Sequence, residues 1–367
     1  MNVTDISLNN YRNIESLKIE PCGGINIIYG ENAQGKTNLL ESIWMISGFK
    51  SFRGSKDADL IKFGEDCLKI ETNFYGRGRE QNAKLIINRQ TKKIILNSVP
   101  ITAASGLIGN FNCVVFSPSY LSVVRGSPSE RRKFVDTAIC QIKPSYAKNL
   151  NEYRKITDQR NSLLKDIKYN NCQYDMLDIW NEKLSEKAET IINERIKYIN
   201  KTAENAEEIY NGLSGKSESI QIEYNMKISP GRYRITGEKI SKDEILRLLK
   251  ECESSDILTG STEIGAHRDD IEIKINGKSA KMFGSQGQQR SAALSLKLSE
   301  AEILKSVNEE NPVILLDDVM SELDANRQSY ILNHIKDRQV FITCCEPSTV
   351  LRMCQGKTFS VCGGKIK

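Results

Sequence analysis

Eight residues near the amino terminus, Gly30-Glu31-Asn32-Ala33-Gln34-Gly35-Lys36-Thr37, follow the pattern G-x-x-x-x-G-K-[ST]. Glycines in such a loop let backbone N–H groups turn inward around phosphate oxygens. Lys36 then reaches the β and γ phosphates of a nucleotide, and the Thr37 hydroxyl ligates a magnesium ion. ATP and Mg²⁺ are therefore the expected cofactors, with Gly30 to Thr37 as the binding residues. A second motif completes the chemistry. Val313-Ile314-Leu315-Leu316-Asp317-Asp318 places four apolar residues of a buried strand before two acids, at the carboxyl end where α/β sheets bind their ligands. Asp317 is expected to hold the metal, through water, and Asp318 to face the attacking water as base or orienter. Either motif alone is an ordinary turn, but together they specify a nucleotide site.

A third segment, Gly284-Ser285-Gln286-Gly287-Gln288-Gln289-Arg290, precedes the helical run SAALSLKLSEAEIL. Ser285 and Gln288 have capping-box spacing, and Gly287 lets an anion approach the free N–H groups of a first helical turn. Ser285, Gln286, Gly287 and Gln288 are thus a second set of candidate phosphate contacts. Ser321-Glu322-Leu323-Asp324 follows the acids as a further turn.

These residues need elements to hold them. Ile6 and Leu8, then Leu17 and Ile19, alternate with polar residues and predict a hairpin around Tyr11-Arg12-Asn13. Ile25 to Tyr29 is a short strand entering the glycine loop, and Leu39, Leu40, Ile43 and Ile46 mark the helix that leaves it. Residues 68–96 alternate again around Gly76 and Gly78, predicting an antiparallel β-lobe, and Val114 to Phe116 read as a buried strand ending at Ser117-Pro118. Leu177, Trp180, Leu184, Ala188, Ile192, Ile196 and Ile199 recur at helical steps, and an earlier helix through Leu150, Tyr153, Ile156 and Leu163 pairs with it as a hairpin. NGLSGKSES from Asn211 reads as a loop, and a strand through Ile220, Ile222 and Tyr224 leads to Pro230-Gly231. From about Gly260 the chain returns to α/β character, with strands at Val313–Leu316 and Val340–Thr343.

Composition excludes several classes. The 367 residues include 39% hydrophobic and 27% charged, which is ordinary for a soluble globular protein. No stretch approaches the ~20 apolar residues of a membrane span, and the start MNVTDISLNN lacks a signal profile, so a cytoplasmic protein without a membrane partner is expected. The ten cysteines form no C-x-x-C pair, and Cys344, Cys345, Cys354 and Cys362 lack zinc-ribbon spacing. They read as small buried hydrophobes. The net charge of +5 permits nucleic-acid binding. Residues 50–99 carry eleven Lys/Arg against six Asp/Glu and residues 226–250 seven against three, whereas residues 146–210 are balanced at eleven against twelve. DNA is expected on the first two regions.

Lys36 and Asp317 lie 281 positions apart, so the strands expected to lie side by side are split by a large insertion. The sequence predicts an α/β head of the ABC/Rad50-like P-loop ATPase type, with a mixed sheet plus an antiparallel β-lobe, and an inserted mainly α-helical arm domain. The expected boundaries are 1–125 for the first part of the head, 126–259 for the arm and 260–367 for the second part. Ser285 to Gln288 resemble the signature of ABC-type ATPases, which contacts the γ-phosphate bound by the opposite subunit, and Ser321 to Asp324 resemble the D-loop.

Tyr11-Arg12-Asn13, GENAQGKTNLLE, FSPSYLSVVRGSPSERRKFVD (Phe116 to Asp136), GAHRDD (Gly265 to Asp270), SQGQQR and LLDDVMSELD together resemble the motif series of the RecF family, in the family's order and over nearly the whole chain. The resemblance implies a DNA-binding repair protein that dimerises with ATP, hydrolyses it slowly, and acts with RecR and RecO to help RecA replace single-strand binding protein at gapped DNA. An ATPase subunit of a transporter shares the phosphate motifs but carries an L-S-G-G-Q signature and a switch histidine, both absent here. A Rad50-like nuclease-associated ATPase brings a much longer coiled coil or a nuclease domain. Three departures from the family or class pattern stand out: Ala266 where proline is usual, expected to loosen a turn; Asp318 where most ABC ATPases have glutamate; and Thr343 in the region of the switch histidine. The last two predict slow turnover. Arg131-Arg132-Lys133 reads as a DNA phosphate contact or a solvated helix face. His267 and Arg268 read as a satisfied structural pair or a relay of ATP state, and Arg12 as a contact to nucleotide or a neighbouring strand.

Overall fold

The computed structural model describes residues 1–102, 106–170, 174–215, 218–352 and 355–367. In chain order it runs β1 (Asn2–Tyr11), β2 (Ile14–Ile19), β3 (Ile25–Tyr29), α1 (Lys36–Ile46), β4 (Cys67–Gly76), β5 (Arg79–Asn88), β6 (Lys92–Leu96), β7 (Val99–Ile101) and β8 (Cys113–Phe116). Helices α2 (Ser122–Arg125), α3 (Pro128–Ile142), α4 (Pro144–Asn170) and α5 (Met176–Ser214) follow, then β9 (Ile220–Ser229), β10 (Arg232–Ile235), α6 (Lys242–Glu251), α7 (Glu253–Thr259), β11 (Asp270–Ile275), β12 (Lys278–Ser279) and α8 (Ala280–Phe283). The chain closes with α9 (Gln286–Asn308), β13 (Val313–Asp317), α10 (Ala325–Ile335), β14 (Val340–Cys344), α11 (Pro347–Leu351), β15 (Lys357–Cys362) and β16 (Lys365–Ile366).

The residues divide into two compact units, Met1–Tyr120 with Glu300–Lys367, and Leu121–Ser299. The first unit holds two sheets. One is antiparallel, in the order β2-β1-β4-β5-β6-β7, and the other runs β16-β15-β3-β14-β13-β8 with β15, β3, β14, β13 and β8 parallel. Strict alternation in β4 and β5 buries one face of the antiparallel sheet, as a half-solvated sheet requires, and β1 buries Val3, Ile6, Leu8 and Tyr11 around a register shift between Val3 and Asp5. By contrast β8 and β13 are buried at every residue, which matches the apolar runs Cys113–Phe116 and Val313–Leu316, with Asp317 closing β13. Leu39, Leu40, Ile43 and Trp44 of α1 share one core with Ile6, Leu8 and Leu85 of the antiparallel sheet and Ile28 and Leu315 of the parallel one. A helix apolar around most of its circumference is buried this way.

One expectation changes here. β3 and β13 are not neighbours, because β14 pairs with both. The two motifs meet because both project from the carboxyl ends of parallel strands, where α1 begins.

In the second unit α4 and α5 run antiparallel, with Lys143 bonded to Glu194 at 2.6 Å, Lys187 to Glu152 at 2.8 Å and Arg160 to Asn181 at 2.8 Å. The predicted apolar face of α5 is buried at Leu177, Leu184, Ala188, Ile192, Ile196 and Ile199. Asn211 to Ser214, read as loop, are the last turn of α5, which stops at Gly215 in the left-handed conformation with φ 69°; Lys216 and Ser217 lie outside the described residues. The arm is less purely helical than predicted. β9 pairs antiparallel with β11 from Ile220↔Ile275 to Asn225↔Asp270, in a sheet of order β10-β9-β11-β12. Since β11 lies beyond residue 259, residues 260–299 pack with the insertion, and the expected boundary at 259/260 is not where the units divide.

The cysteines also depart from expectation. Cys113, Cys140 and Cys252 are buried, but Cys67, Cys345 and Cys362 are exposed; Cys172 and Cys354 lie outside the described residues. Among the described residues no helix is long and apolar enough to cross a membrane.

Candidate functional site

β3 delivers the chain to a loop built around backbone geometry that side chains resist. Gly30 has φ 149°, Gly35 φ 113° and Ala33 φ 64°. A side chain at Gly30 would meet the Val361 carbonyl oxygen at 2.3 Å, so glycine is obligatory there. Glu31, Asn32 and Ala33 are exposed while Gly35 and Lys36 are buried. The Lys36 ammonium donates to the carbonyls of Gly30 at 2.6 Å and Glu31 at 3.1 Å, closing over its own loop. The first N–H groups of α1 have no intrahelical acceptor, which makes this helix start suited to an anion.

Thr37 follows, and its hydroxyl donates to Asp317 Oδ1 at 2.8 Å. Thr343, the last residue but one of β14, donates to the same oxygen at 3.1 Å. Burial pushes the Asp317 carboxyl up from its ordinary range, and the hydrogen bonds from Thr37 and Thr343 oppose that rise. The Thr37 hydroxyl and the Asp317 carboxylate form a pair of hard oxygen donors at the sheet's carboxyl end. Magnesium takes one or two protein oxygens of this kind and fills its remaining positions with water and phosphate oxygens, so these residues fit it. Among the described residues, no group of three or more His, Cys, Asp or Glu is placed to hold a metal.

Asp318 is set apart from its neighbour by its backbone. It has φ 53°, a left-handed conformation unusual for aspartate, and its N–H donates to Thr343 Oγ1 at 2.9 Å. The Ser321 hydroxyl donates to the Asp318 carbonyl at 2.8 Å. The Ser321-to-Asp324 turn ends by capping α10, where the Asp324 carboxylate accepts from Arg327 N–H at 3.0 Å.

In the second unit, Ser285 and Gln288 form the predicted capping box. Ser285 N–H donates to Gln288 Oε1 at 2.8 Å and Gln288 N–H to Ser285 Oγ at 3.2 Å. Ser285 and Gln286 are exposed at the start of α9. Thus Gly30 to Thr37, Asp317 and Asp318 come together in the first unit, and Ser285 to Gln288 cluster in the second.

Four sequence readings are corrected or sharpened. The Arg12 side chain is engaged by a helix rather than by a neighbouring strand. Its guanidinium clamps Glu41 of α1, with Nε at 2.6 Å and Nη2 at 2.9 Å, and also donates to Ser55 Oγ at 2.8 Å. Arg131 and Arg132 do not form a freely solvated face, whereas Lys133 is exposed. Arg131 is buried and grips Asp270 with two bonds at 2.7 and 2.8 Å, while Arg132 donates to the Asp269 carbonyl at 2.6 Å. His267 and Arg268 are indeed a satisfied pair: His267 Nδ1 lies 2.7 Å from the Tyr153 hydroxyl, and the Thr262 carbonyl lies 3.1 Å from His267 Nε2 and accepts from Arg268 Nε at 3.0 Å. Burial lowers the imidazole pKa to about 3, so His267 is neutral. Ala266 does not leave its turn open, because Arg268 N–H closes it on the Gly265 carbonyl at 2.7 Å and Arg195 holds the Ala266 carbonyl.

The comparisons with known proteins converge. A family model described as an AAA domain matches residues 5–337. The DNA replication and repair protein RecF of Ruminiclostridium cellulolyticum is 42% identical over 374 residues, covering 100% of this chain and 99% of that protein. The chain belongs to the RecF family. The RecF of Acetivibrio thermocellus is 38% identical, covering 94% of each chain. A solved structure of the recombination mediator RecF with ATP, of the RecFOR pathway, matches with a TM-score of 0.90 at 37% identity, over 100% of this chain and 97% of that one. An SMC head bound to the C-winged helix domain of ScpA matches with a TM-score of 0.58 at 16% identity, over 100% of this chain and 96% of that one, which speaks for the fold alone. The RecF fold is thus an ABC-type P-loop head, as its SMC likeness indicates.

Within this RecF chain, two site residues escaped the sequence reading. Glu41 is fully buried and accepts from Tyr11 at 2.9 Å, from Arg12 and from Ser51. It pins α1 one turn after Thr37. A lone carboxylate inside the apolar run LLESIWMI was the available signal, since a buried charge needs partners. Arg53 donates to Asn38 Oδ1 at 3.0 Å, and its charge helps to hold the Asp317 carboxyl down. Nothing in its local sequence marks it out.

Proposed function

We propose that this RecF-family chain is an ATP-driven DNA-repair switch that holds MgATP on one unit and completes its active site across a dimer. The observation that supports this reading is the Thr37 to Asp317 contact at 2.8 Å beside the Lys36 loop, a pair of hard oxygens of the kind Mg²⁺ takes. Gly30 to Lys36 bind the phosphates through N–H groups, and Lys36 exchanges its bonds to Gly30 and Glu31 carbonyls for phosphate oxygens. Thr37 directly and Asp317 through water would hold Mg²⁺, which when bound would supply charge neutralisation at the phosphates. Asp318 orients the attacking water and accepts its proton.

Ser285 to Gln288 of a second copy cover the γ-phosphate with the free N–H groups at the start of α9. Turnover is slow for two reasons. Asp318 is one methylene shorter than the glutamate of most ABC ATPases, and Thr343 stands in the switch-histidine region with its hydroxyl already engaged. Slow hydrolysis suits a timed clamp. The clamp is cytoplasmic, binds gapped DNA, and acts with RecR and RecO in helping RecA displace single-strand binding protein.

Sedimentation with ATP, ADP or no nucleotide, with and without gapped DNA, tests the clamp. The trans site is tested by mixing. Lys36→Ala loses nucleotide binding, whereas Ser285→Arg keeps it and loses ATP-dependent dimerisation. A heterodimer of the two retains one intact composite site, so up to about half of wild-type ATPase returns if the sites act independently. Heterodimers that form and stay inactive rule out independent trans sites, and normal hydrolysis by Ser285→Arg rules out the signature's role.

A further inference from the structure

The outer side of the phosphate loop is held by two turns of the same unit that phosphate binding by itself does not call for. Asn13, in the β1–β2 turn, donates from Nδ2 to the Ala33 carbonyl at 3.3 Å and accepts from Asn38 Nδ2 at 2.7 Å. From the other end of the chain, the Gly363-Gly364 turn between β15 and β16 reaches the same loop. Gly364 N–H donates to the Gln34 carbonyl at 3.0 Å, and Gly363 N–H to Gln34 Oε1 at 2.6 Å.

The two contacts to main-chain carbonyls have a directional consequence. In a planar trans peptide the C=O and the following N–H point in opposite directions. Tying the Ala33 carbonyl to Asn13 therefore turns the Gln34 N–H to the far side of the loop, and tying the Gln34 carbonyl to Gly364 does the same for the Gly35 N–H. The loop needs such support, because Ala33 occupies the left-handed region at φ 64°, where a side chain is disfavoured.

The packing leaves no slack. Gly364 has φ +76°, and a Cβ there would lie 2.6 Å from the Asn13 carbonyl oxygen; a Cβ at Gly35 would lie 3.0 Å from Asn13 Oδ1. The carboxyl-terminal turn meets the amino-terminal turn backbone against backbone at Gly364, and the loop meets the Asn13 side chain at Gly35.

We propose that the Gly363-Gly364 turn is a positioning element for nucleotide binding: with Asn13 it aims the Gln34 and Gly35 N–H groups at the phosphates. The proposal rests on the reading of residues 30–37 as the nucleotide loop. It assigns a binding role to the far carboxyl end of the chain, beyond the nucleotide motifs.

The test uses the full chain and a fluorescent ATP analogue with Mg²⁺. Gln34→Ala removes the side-chain acceptor for Gly363, and Gly364→Ala drives a methyl group onto Asn13. Each is expected to raise Kd about tenfold, equivalent to about 1.4 kcal/mol of binding free energy. Because both act through one loop placement, the double variant should lose well under the roughly hundredfold that independent effects would give. Hydrogen exchange of the amides of residues 31–36, measured without nucleotide, should quicken in both single variants. If Gly364→Ala does not fold, Gln34→Ala alone carries the test through its Kd and exchange. Unchanged Kd with a lowered melting temperature shows the turn to be scaffold only and overturns the proposal, as does fully multiplicative loss with unchanged exchange. Lys36→Ala is the separate control: if it still binds the analogue, the nucleotide-loop reading itself fails, whatever the turn variants do.

Discussion

Replacing Thr343 with valine isolates one side chain on which both acids depend. Valine has the same shape, so no cavity opens and only the hydroxyl is lost. That hydroxyl accepts the Asp318 N–H at 2.9 Å and donates to Asp317 Oδ1 at 3.1 Å. A half-buried N–H left without an acceptor costs about 1–2 kcal/mol, and a hydrogen bond to a buried carboxylate contributes about as much. The expected loss is about 3 kcal/mol, and at about 2–4 °C per kcal/mol for a unit of this size the melting temperature should fall by about 6–12 °C. Catalysis should suffer separately. Asp318 sits at φ 53°, a conformation disfavoured by about 1–2 kcal/mol for an L-residue, and without its anchor it leaves that conformation in most molecules. About 1.4 kcal/mol is tenfold in rate, so kcat should drop about tenfold while ATP affinity changes little. Thr343→Ser restores both hydrogen bonds and should recover most of each loss. A valine variant that matches wild type in melting and in single-turnover hydrolysis, or a serine variant as impaired as valine, refutes this account.

Asp269 is fully buried against Tyr224, Arg195, Arg132 and the Lys227 N–H, and burial raises its pKa to about 6. Between its unfolded value and 6 the folded chain keeps a proton that the unfolded chain releases, so this group's contribution falls as pH rises from 4 to 6, by about 3 kcal/mol in all. His267 acts in the opposite direction over the same window, because its lowered pKa makes stability fall as pH drops. The stability difference between wild type and Asp269→Asn, from urea unfolding at pH 4, 5 and 6, should therefore shift by about 3 kcal/mol, and a pH-independent difference excludes the assignment. For DNA, the regional charge counts overstate what is available: Lys84 pairs with Glu71 and Lys92 with Asp57, and in residues 226–250 Lys227, Arg234, Lys242, Arg247 and Lys250 all have carboxylate partners. Arg89 and Lys93 are exposed on the β5–β6 hairpin, so Arg89→Glu with Lys93→Glu should lower the salt slope of DNA binding by about 2, and a slope equal to wild type removes this hairpin from the interface.

Local pattern was enough for the chemistry and for the elements that carry it. Strand, glycine loop and helix at Ile25 to Ile46 are legible because their periodicity and the φ demands of Gly30 and Gly35 are properties of consecutive residues. The capping box at Ser285 and Gln288 is legible for the same reason, and so is the buried strand before Asp317. What remained hidden involves residues far apart in the chain. That Thr343 tethers Asp318 follows from the insertion of β14 between β3 and β13, that Gly364 holds Gln34 from β15 returning beside β3, and that Glu41 is the partner of Arg12 from the packing of α1 against the antiparallel sheet. No periodicity encodes such pairings. The arm's boundary shows the same limit: β9 and β11 each read as a strand, but only their pairing across the 259/260 break decides which unit residues 260–299 join. Charge was the least legible property, since a count of lysines and arginines cannot tell a cation facing solvent from Arg131, which folding turns inward onto Asp270.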